Sequence, residues 1–212
     1  MLPEQLEEGY RSFLRDRFSR ERTRYRRLAE GQKPEVMVIG CCDSRVSPEV
    51  IFDASPGEMF IARNVANLVP PYDAAGVYHG APAAVEFAVL ALKVKHIVIL
   101  GHAKCGGIQA FAGQAAPLTS GDFIGNWLSL LAPADAAVGR IKDTAERLHK
   151  LELATVELSL NNLMTFPWLK KLVEAGKLQL HGAYFGVADG VLMVRDPETK
   201  EFRRLVKGEE AF

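Results

Sequence analysis

Two short runs hold most of the side chains able to do chemistry: Cys41-Cys42-Asp43-Ser44-Arg45 and His102-Ala103-Lys104-Cys105-Gly106-Gly107. Each follows an apolar, β-rich run ending in glycine, VMVIG (36–40) before the first and HIVILG (96–101) before the second. In open α/β sheets the loops at the carboxyl ends of neighbouring strands converge, and ligands collect there. If these two strands are neighbours, the thiols of Cys41 and Cys105 and the imidazole of His102 meet at one sheet edge. Two thiolates with one imidazole suit Zn²⁺, and three protein donors leave a fourth tetrahedral position for water, as a catalytic zinc requires. Taken singly, a cysteine after a strand is more often a small buried apolar residue than a ligand. The His-x-x-Cys spacing, which lets one tight turn present two donors to one ion, and the Cys-x-Asp-x-Arg run tip the reading toward metal.

Asp43 and Arg45 extend that reading from binding to catalysis. Zinc lowers the pKa of a bound water toward ~7, so a hydroxide exists at neutral pH. Asp43 can accept a hydrogen bond from that hydroxide, and Arg45 can clamp Asp43 in its ionised form. The same geometry permits a closed alternative in which Asp43 leaves Arg45 and takes the water's place on the metal. Gly106 and Gly107 follow the last donor at an expected helix start, where free N–H groups hold anions; they also relieve crowding in the turn. Cys42 alternates with Cys41 along an extended segment, so it is expected to be a small buried residue pointing away from the site. His79, His96, His149 and His181 read as surface or packing residues, and a proton relay by any of them depends on the fold bringing it near the metal.

These side chains need a frame, and the rest of the chain supplies one. MFIA (59–62) is a third strand-like run, ending at Arg63 and Asn64. APAAVEFAVLALKV separates it from HIVILG with helical periodicity, and a longer helical zone runs from about residue 122 to 174, with breaks expected at Pro133 and Pro167. Near the C-terminus, KLQLHGAYFGV and GVLMVRD flank Asp189-Gly190, a hairpin signal. The expected fold is α/β: a central, mostly parallel sheet flanked by helices, with an antiparallel strand near the C-terminus. Residues 1–34 read as an N-terminal helical arm, with Leu6, Tyr10, Phe13, Leu14 and Phe18 along one side, and residues 35–212 as a single zinc-binding catalytic domain.

Composition narrows the partners. Lys plus Arg number 26 against 26 Asp plus Glu, so no global field steers the chain to nucleic acid, and acidic residues interleave with the arginines of the arm. No run is long and apolar enough for a membrane span, and MLPEQLEEGYRSF lacks the apolar core of a secretory signal, so a cytoplasmic protein is expected. Three cysteines do not make a disulfide framework.

The blocks GCCDSRV, ARNVANLVPPYD and GHAKCGG, in this order and spacing, resemble the successive signatures of the β-class carbonic anhydrases, and HGAYFGVADGVL continues the likeness more weakly. The resemblance implies Zn²⁺ on Cys41, His102 and Cys105, and a catalytic dyad of Asp43 and Arg45. It further implies reversible hydration of carbon dioxide to bicarbonate and a proton, and a homodimer or tetramer. In that class, closed sites go with a bicarbonate pocket that uses a Trp three residues before the first ligand, an Arg and a Tyr. Here Val38 stands at the Trp position, with Arg63 and Tyr184 at the other two, so the open, water-bound form is expected near neutral pH. Two readings compete: a hydrolase of other small linear electrophiles such as carbon disulfide or carbonyl sulfide, and a purely structural zinc site. The second has no use for an Asp-Arg pair beside an open position.

Overall fold

The computed structural model describes residues 2–74 and 80–206, and divides into two compact units, Met1–Lys33 and Pro34–Phe212. In the first unit, helix α1 (Glu4–Ser12) passes through a π-helical stretch (Phe13–Phe18) into α2 (Ser19–Ala29). Phe13 and Phe18 are five residues apart, about 140° out of phase on a regular α-helix at 3.6 residues per turn. The wider π turn brings them to the same side, with ring centroids 5.9 Å apart, and both rings meet Tyr25. The rest of the apolar side read from the sequence, Leu6, Tyr10 and Leu14, is exposed.

Among the described residues, the second unit forms one six-stranded sheet from β1 (Val36–Cys41), β2 (Met59–Asn64), β3 (His96–His102), β4 (Gln179–Phe185), β5 (Leu192–Arg195) and β6 (Phe202–Arg204), in the order β2-β1-β3-β4-β5-β6. The first four are parallel, and β5 and β6 run antiparallel to their neighbours. β1 and β3 are adjacent, Val36 opposite His96, so both chemistry-bearing runs leave the sheet at the same edge. The Asp189-Gly190 hairpin forms as expected: Gly190 has φ +68°, and the Asp189 carboxylate accepts from the Val191 N–H at 3.1 Å. β6 was not expected from the sequence; three residues are too few for a legible alternation.

The helices are α3 (Pro48–Ile51), α4 (Gly80–Glu86, continued by a π stretch, Phe87–Ala91), α5 (Gly106–Ala112), α6 (Phe123–Leu128), α7 (Ala132–Val138), α8 (Thr144–Leu163) and α9 (Pro167–Glu174). Pro167 starts α9 at a first-turn position, where its missing N–H has no partner to lose. Pro133 likewise sits in the first turn of α7. The zone does break before Pro167, at residues 164–166, and breaks again not at Pro133 but at residues 139–143, where Gly139 takes φ +70° and Asp143 caps α8 by accepting from the Glu146 N–H at 2.7 Å.

α8 is the helix that matters most for the site. Its buried stripe, Leu151, Glu152, Thr155, Val156, Ser159, Leu160 and Leu163, lies on β3 and β4, with Met37, Ile39, Ile97 and Ile99 supplying the facing side of the sheet. It approaches closely because Gly101 stands under it: a Cβ there would come within 2.6 Å of Val156 Cγ2. On the opposite side of the sheet, Val38, Leu100 and Ala183 form a smaller buried cluster with partly covered Val36, Ile61 and Val98.

At the amino end of the sheet, away from the converging loops, His96 Nδ1 and His181 Nε2 share a hydrogen bond of 3.1 Å. Burial, then the neighbouring His96, lowers the His181 pKa. The unfolded chain takes up a proton near the ordinary imidazole value of ~6.5 while the folded chain resists it, so stability falls as pH drops below that value. Urea denaturation should therefore show a lower midpoint at pH 5.5 than at pH 7.5. His181→Gln, which keeps a hydrogen-bonding partner for His96 without titrating, should flatten that difference.

Candidate metal centre

β1 delivers Cys41 and β3 delivers His102 at their last residues, and the turn after β3 delivers Cys105 as the residue preceding α5. Their three donor atoms all lie within 4.8 Å of one another and all three residues are buried; among the described residues they are the one such group of His, Cys, Asp or Glu. The two Sγ atoms are 3.9 Å apart. Two sulfurs at ~2.3 Å from a tetrahedral ion stand about 3.8 Å apart, so the spacing suits zinc. Nδ1 of His102 lies 3.0 Å from the Ala103 carbonyl, to which it donates, leaving Nε2 as the lone-pair nitrogen; Nε2 is buried without a hydrogen-bond partner. A buried, unpartnered imidazole nitrogen beside two thiols is costly for a protein alone and suited to a metal ligand. The hydrogen bond between the two sulfurs lowers the Cys41 pKa and, with burial, raises that of Cys105.

Asp43 stands outside this group, gripped by Arg45. Arg45 Nε donates to Oδ1 at 2.9 Å, Nη2 to Oδ2 at 2.7 Å, and the Arg45 main-chain N–H to Oδ1 at 3.0 Å. The Arg45 guanidinium holds the Asp43 carboxyl well below the usual carboxylate range. Nη2 also donates to the Lys104 carbonyl at 3.1 Å, so one side chain ties the β1 loop to the β3 loop.

Arg63 acts on the same loop from the next strand. Its Nε donates to the Cys41 carbonyl and its Nη2 to that of Asp43, both at 2.7 Å, with Val46 O a further acceptor at 3.3 Å. Asn64 instead braces its own turn, exchanging two 2.8 Å bonds with the main chain of Leu68. Cys42 corrects the sequence reading. It alternates with Cys41 as expected, but the side it faces is open: Cys42 is exposed, and with Arg63, Asn64, Phe123 and Trp127 it lines an apolar pocket of about 530 Å³ to which none of the three donors contributes. Gly106 has open space where a Cβ would stand, whereas a Cβ on Gly107 would come within 2.6 Å of Val65 Cγ1, so Gly107 is required by packing.

The histidines separate clearly. His96 and His181 pair at the far end of the sheet, His79 lies outside the described residues, and His149 contacts Tyr184, Nδ1 lying 3.2 Å from the phenol oxygen. Tyr72 shapes its loop, its N–H donating to Thr165 Oγ1 at 2.7 Å. Tyr184 donates to Glu152 Oε2 at 2.6 Å, and burial, then that bond, raises its pKa. Glu152 Oε1 accepts the Cys105 N–H at 3.2 Å. Sequence reasoning missed Glu152, although a signal was present: a carboxyl group set in the apolar stripe of α8, where Leu151, Val156 and Leu160 demand burial.

The carbonic anhydrase family model matches residues 36–192, the span that contains every one of these side chains. The chain belongs to the β carbonic anhydrase family. Members of the family are lyases that hydrate carbon dioxide. The chain is 35% identical over 190 residues to the chloroplastic β carbonic anhydrase 5 of Arabidopsis thaliana, covering 87% of this chain and spanning 62% of the length of that plant protein. Its fold matches the β-carbonic anhydrase CcaA with a TM-score of 0.89 at 28% identity, over 95% of this chain and 98% of that one. It also matches a β-carbonic anhydrase from the ascomycete Sordaria macrospora, described as tetrameric, with a TM-score of 0.68 at 30% identity, over 96% and 93% of the two chains.

The three carbonyl bonds of Arg63 make a specific demand on the guanidinium fork. Arg63→Lys keeps the charge and loses the fork, and should lower the unfolding free energy by about 1–2 kcal/mol in urea titrations.

Proposed function

We propose that the chain is a zinc-dependent carbonic anhydrase, catalysing the reversible hydration of carbon dioxide to bicarbonate and a proton. The observation that carries this reading is the buried, unpartnered Nε2 of His102 beside the Cys41 and Cys105 sulfurs, with the Asp43–Arg45 pair next to it. Cys41, His102 and Cys105 would hold Zn²⁺, whose chemistry here is to supply a hydroxide nucleophile at neutral pH by acidifying water.

The chain's own residues do the rest. Arg45 keeps Asp43 ionised and fixes it in place, so that a carboxylate oxygen is ready to accept a proton-bearing group at the site and orient it toward carbon dioxide. The Arg45 bond to Lys104 O keeps this acceptor in register with the loop that carries His102 and Cys105. With both Asp43 oxygens engaged by Arg45, the arrangement favours the open form, in which Asp43 is a hydrogen-bonding partner rather than a ligand. The former bicarbonate-pocket positions support the same state: Val38 is packed with Leu100 and Ala183, Arg63 is committed to carbonyls, and Tyr184 is committed to Glu152. We assign the main-chain N–H of Gly106 to the substrate side of the turn, while that of Gly107 donates toward the Cys105 sulfur. We further propose a homo-oligomer, dimer or tetramer, in keeping with the tetrameric Sordaria enzymes.

Stopped-flow carbon dioxide hydration and metal analysis on the same preparations test the reading. Wild type should bind one zinc per chain and hydrate carbon dioxide. Cys105→Ser should lose the metal. Asp43→Ala should keep it while kcat/KM falls by about 10²–10⁴-fold, the range for removing a positioned proton-handling group. Fully metallated wild type without hydration activity anywhere between pH 7 and 9 would refute the proposal.

A further inference from the structure

Glu152 is the most anomalous buried side chain in the second unit. It is 4% exposed in the stripe of α8 that also buries Leu151, Thr155 and Val156. Its two oxygens accept from two neutral donors that belong to different parts of the fold: the Cys105 main-chain N–H, at the turn after β3, and the Tyr184 hydroxyl, on β4. The Tyr184 oxygen in turn lies 3.2 Å from Nδ1 of His149, one helical turn before Glu152 on α8. A carboxyl with no other task in the core is therefore attached to the main chain of one of the three sulfur and nitrogen donors.

The local geometry explains why that attachment has leverage. Cys105 precedes a short helix, and Lys104, immediately before it, adopts φ +56°, a conformation unfavourable for a side chain other than glycine. The His102-x-x-Cys105 turn is thus strained, and its last N–H is a free donor at the start of α5 that needs an acceptor. No residue within the turn supplies one; Glu152 does, from a helix held close to β3 by the contact between Val156 and Gly101.

We propose that Glu152 is a positioning residue for the metal donor Cys105. Anchored by Tyr184 through one oxygen, it holds the Cys105 amide with the other and thereby keeps Sγ at the spacing from Cys41 that one ion requires. This rests on the reading of Cys41, His102 and Cys105 as a metal site. Partners behind a metal ligand typically alter metal affinity by about 10–100-fold when removed. The consequence here is a site whose retention of metal depends on a side chain outside the donor group.

The test is metal release, read independently of catalysis. Zinc-loaded full-length protein is mixed with excess chelator and the released metal is followed with a chromogenic indicator, for wild type, Glu152→Ala, Glu152→Gln, Tyr184→Phe and Cys105→Ser, alongside thermal unfolding of each. Glu152→Ala should release zinc about 10–100-fold faster than wild type. Glu152→Gln, whose amide oxygen can still accept from Cys105, should fall between the two, and Tyr184→Phe should move in the same direction as Glu152→Gln. In the Co²⁺-loaded forms, the sulfur-to-metal absorption band should shift in Glu152→Gln while the unfolding temperature stays near that of wild type. Wild-type release rates in both Glu152→Gln and Tyr184→Phe, or rates that rise only as far as global unfolding rises, would overturn the proposal. The metal-site reading is judged separately by the same series: it fails if Cys105→Ser binds zinc as wild type does, and stands if Cys105→Ser is metal-free whatever the Glu152 variants do.

Discussion

Two buried sulfurs 3.9 Å apart, facing an imidazole nitrogen with no hydrogen-bond partner, are a poor arrangement for a polypeptide by itself. Two buried sulfurs this close cannot both ionise at low cost, a buried lone pair without a donor is desolvated for nothing, and a cation between them resolves both conditions at once. The framework can be understood as what is needed to maintain that constraint. Neighbouring parallel strands fix the separation of Cys41 from His102 in units of sheet geometry, which side-chain rotation cannot relax. Side chains from β2 and α8, together with Arg45 of the β1 loop itself, then immobilise the two loops that leave those strands.

Each restraint acts on the main chain. Arg63 grips carbonyls of the β1 loop, Arg45 reaches a carbonyl of the β3 loop, and Glu152 takes the amide of Cys105. Main-chain anchoring fixes where a donor stands without Arg63, Arg45 or Glu152 occupying its sulfur or nitrogen. A side-chain anchor on Cys or His would compete for those same atoms. His102 is anchored differently, through its ring: Nδ1 donates to the Ala103 carbonyl, which sets the tautomer that frees Nε2.

Much of this was legible in the chain. The apolar runs VMVIG and HIVILG announce strands because length and β-branching agree, and the donors directly after them announce their own convergence. Asp43 and Arg45 were readable because residues two apart on an extended segment share a side. Arg63, at the end of a strand, was placed at the same sheet edge as a support for these loops, which its carbonyl bonds bear out; which carbonyls it takes follows from the register of β2 against β1. What escaped depends on distant approach. Tyr184 was matched to an anion pocket, but its hydroxyl is taken by a helix residue 32 positions earlier in the chain, a pairing that no local pattern encodes. Cys42 was read with the correct alternation and the wrong surroundings, because periodicity gives the direction of a side chain and not what lies there. The Phe13–Phe18 pairing required a π turn, for which an α-helical wheel has no place.

Because the β1 loop is held through its carbonyls by a side chain from another strand, the identity of the residues it displays outward is mechanically uncoupled from the metal geometry. Cys42 and Ser44 are exposed, and no anchor of the loop passes through either side chain. The wall of the adjoining apolar pocket can therefore be rewritten one residue away from a sulfur donor without moving that sulfur. For a designer this is a rim that accepts new recognition chemistry over an unchanged reactive core; for a lineage under selection, it is a position at which access to the site can drift while the donors beneath it stay fixed.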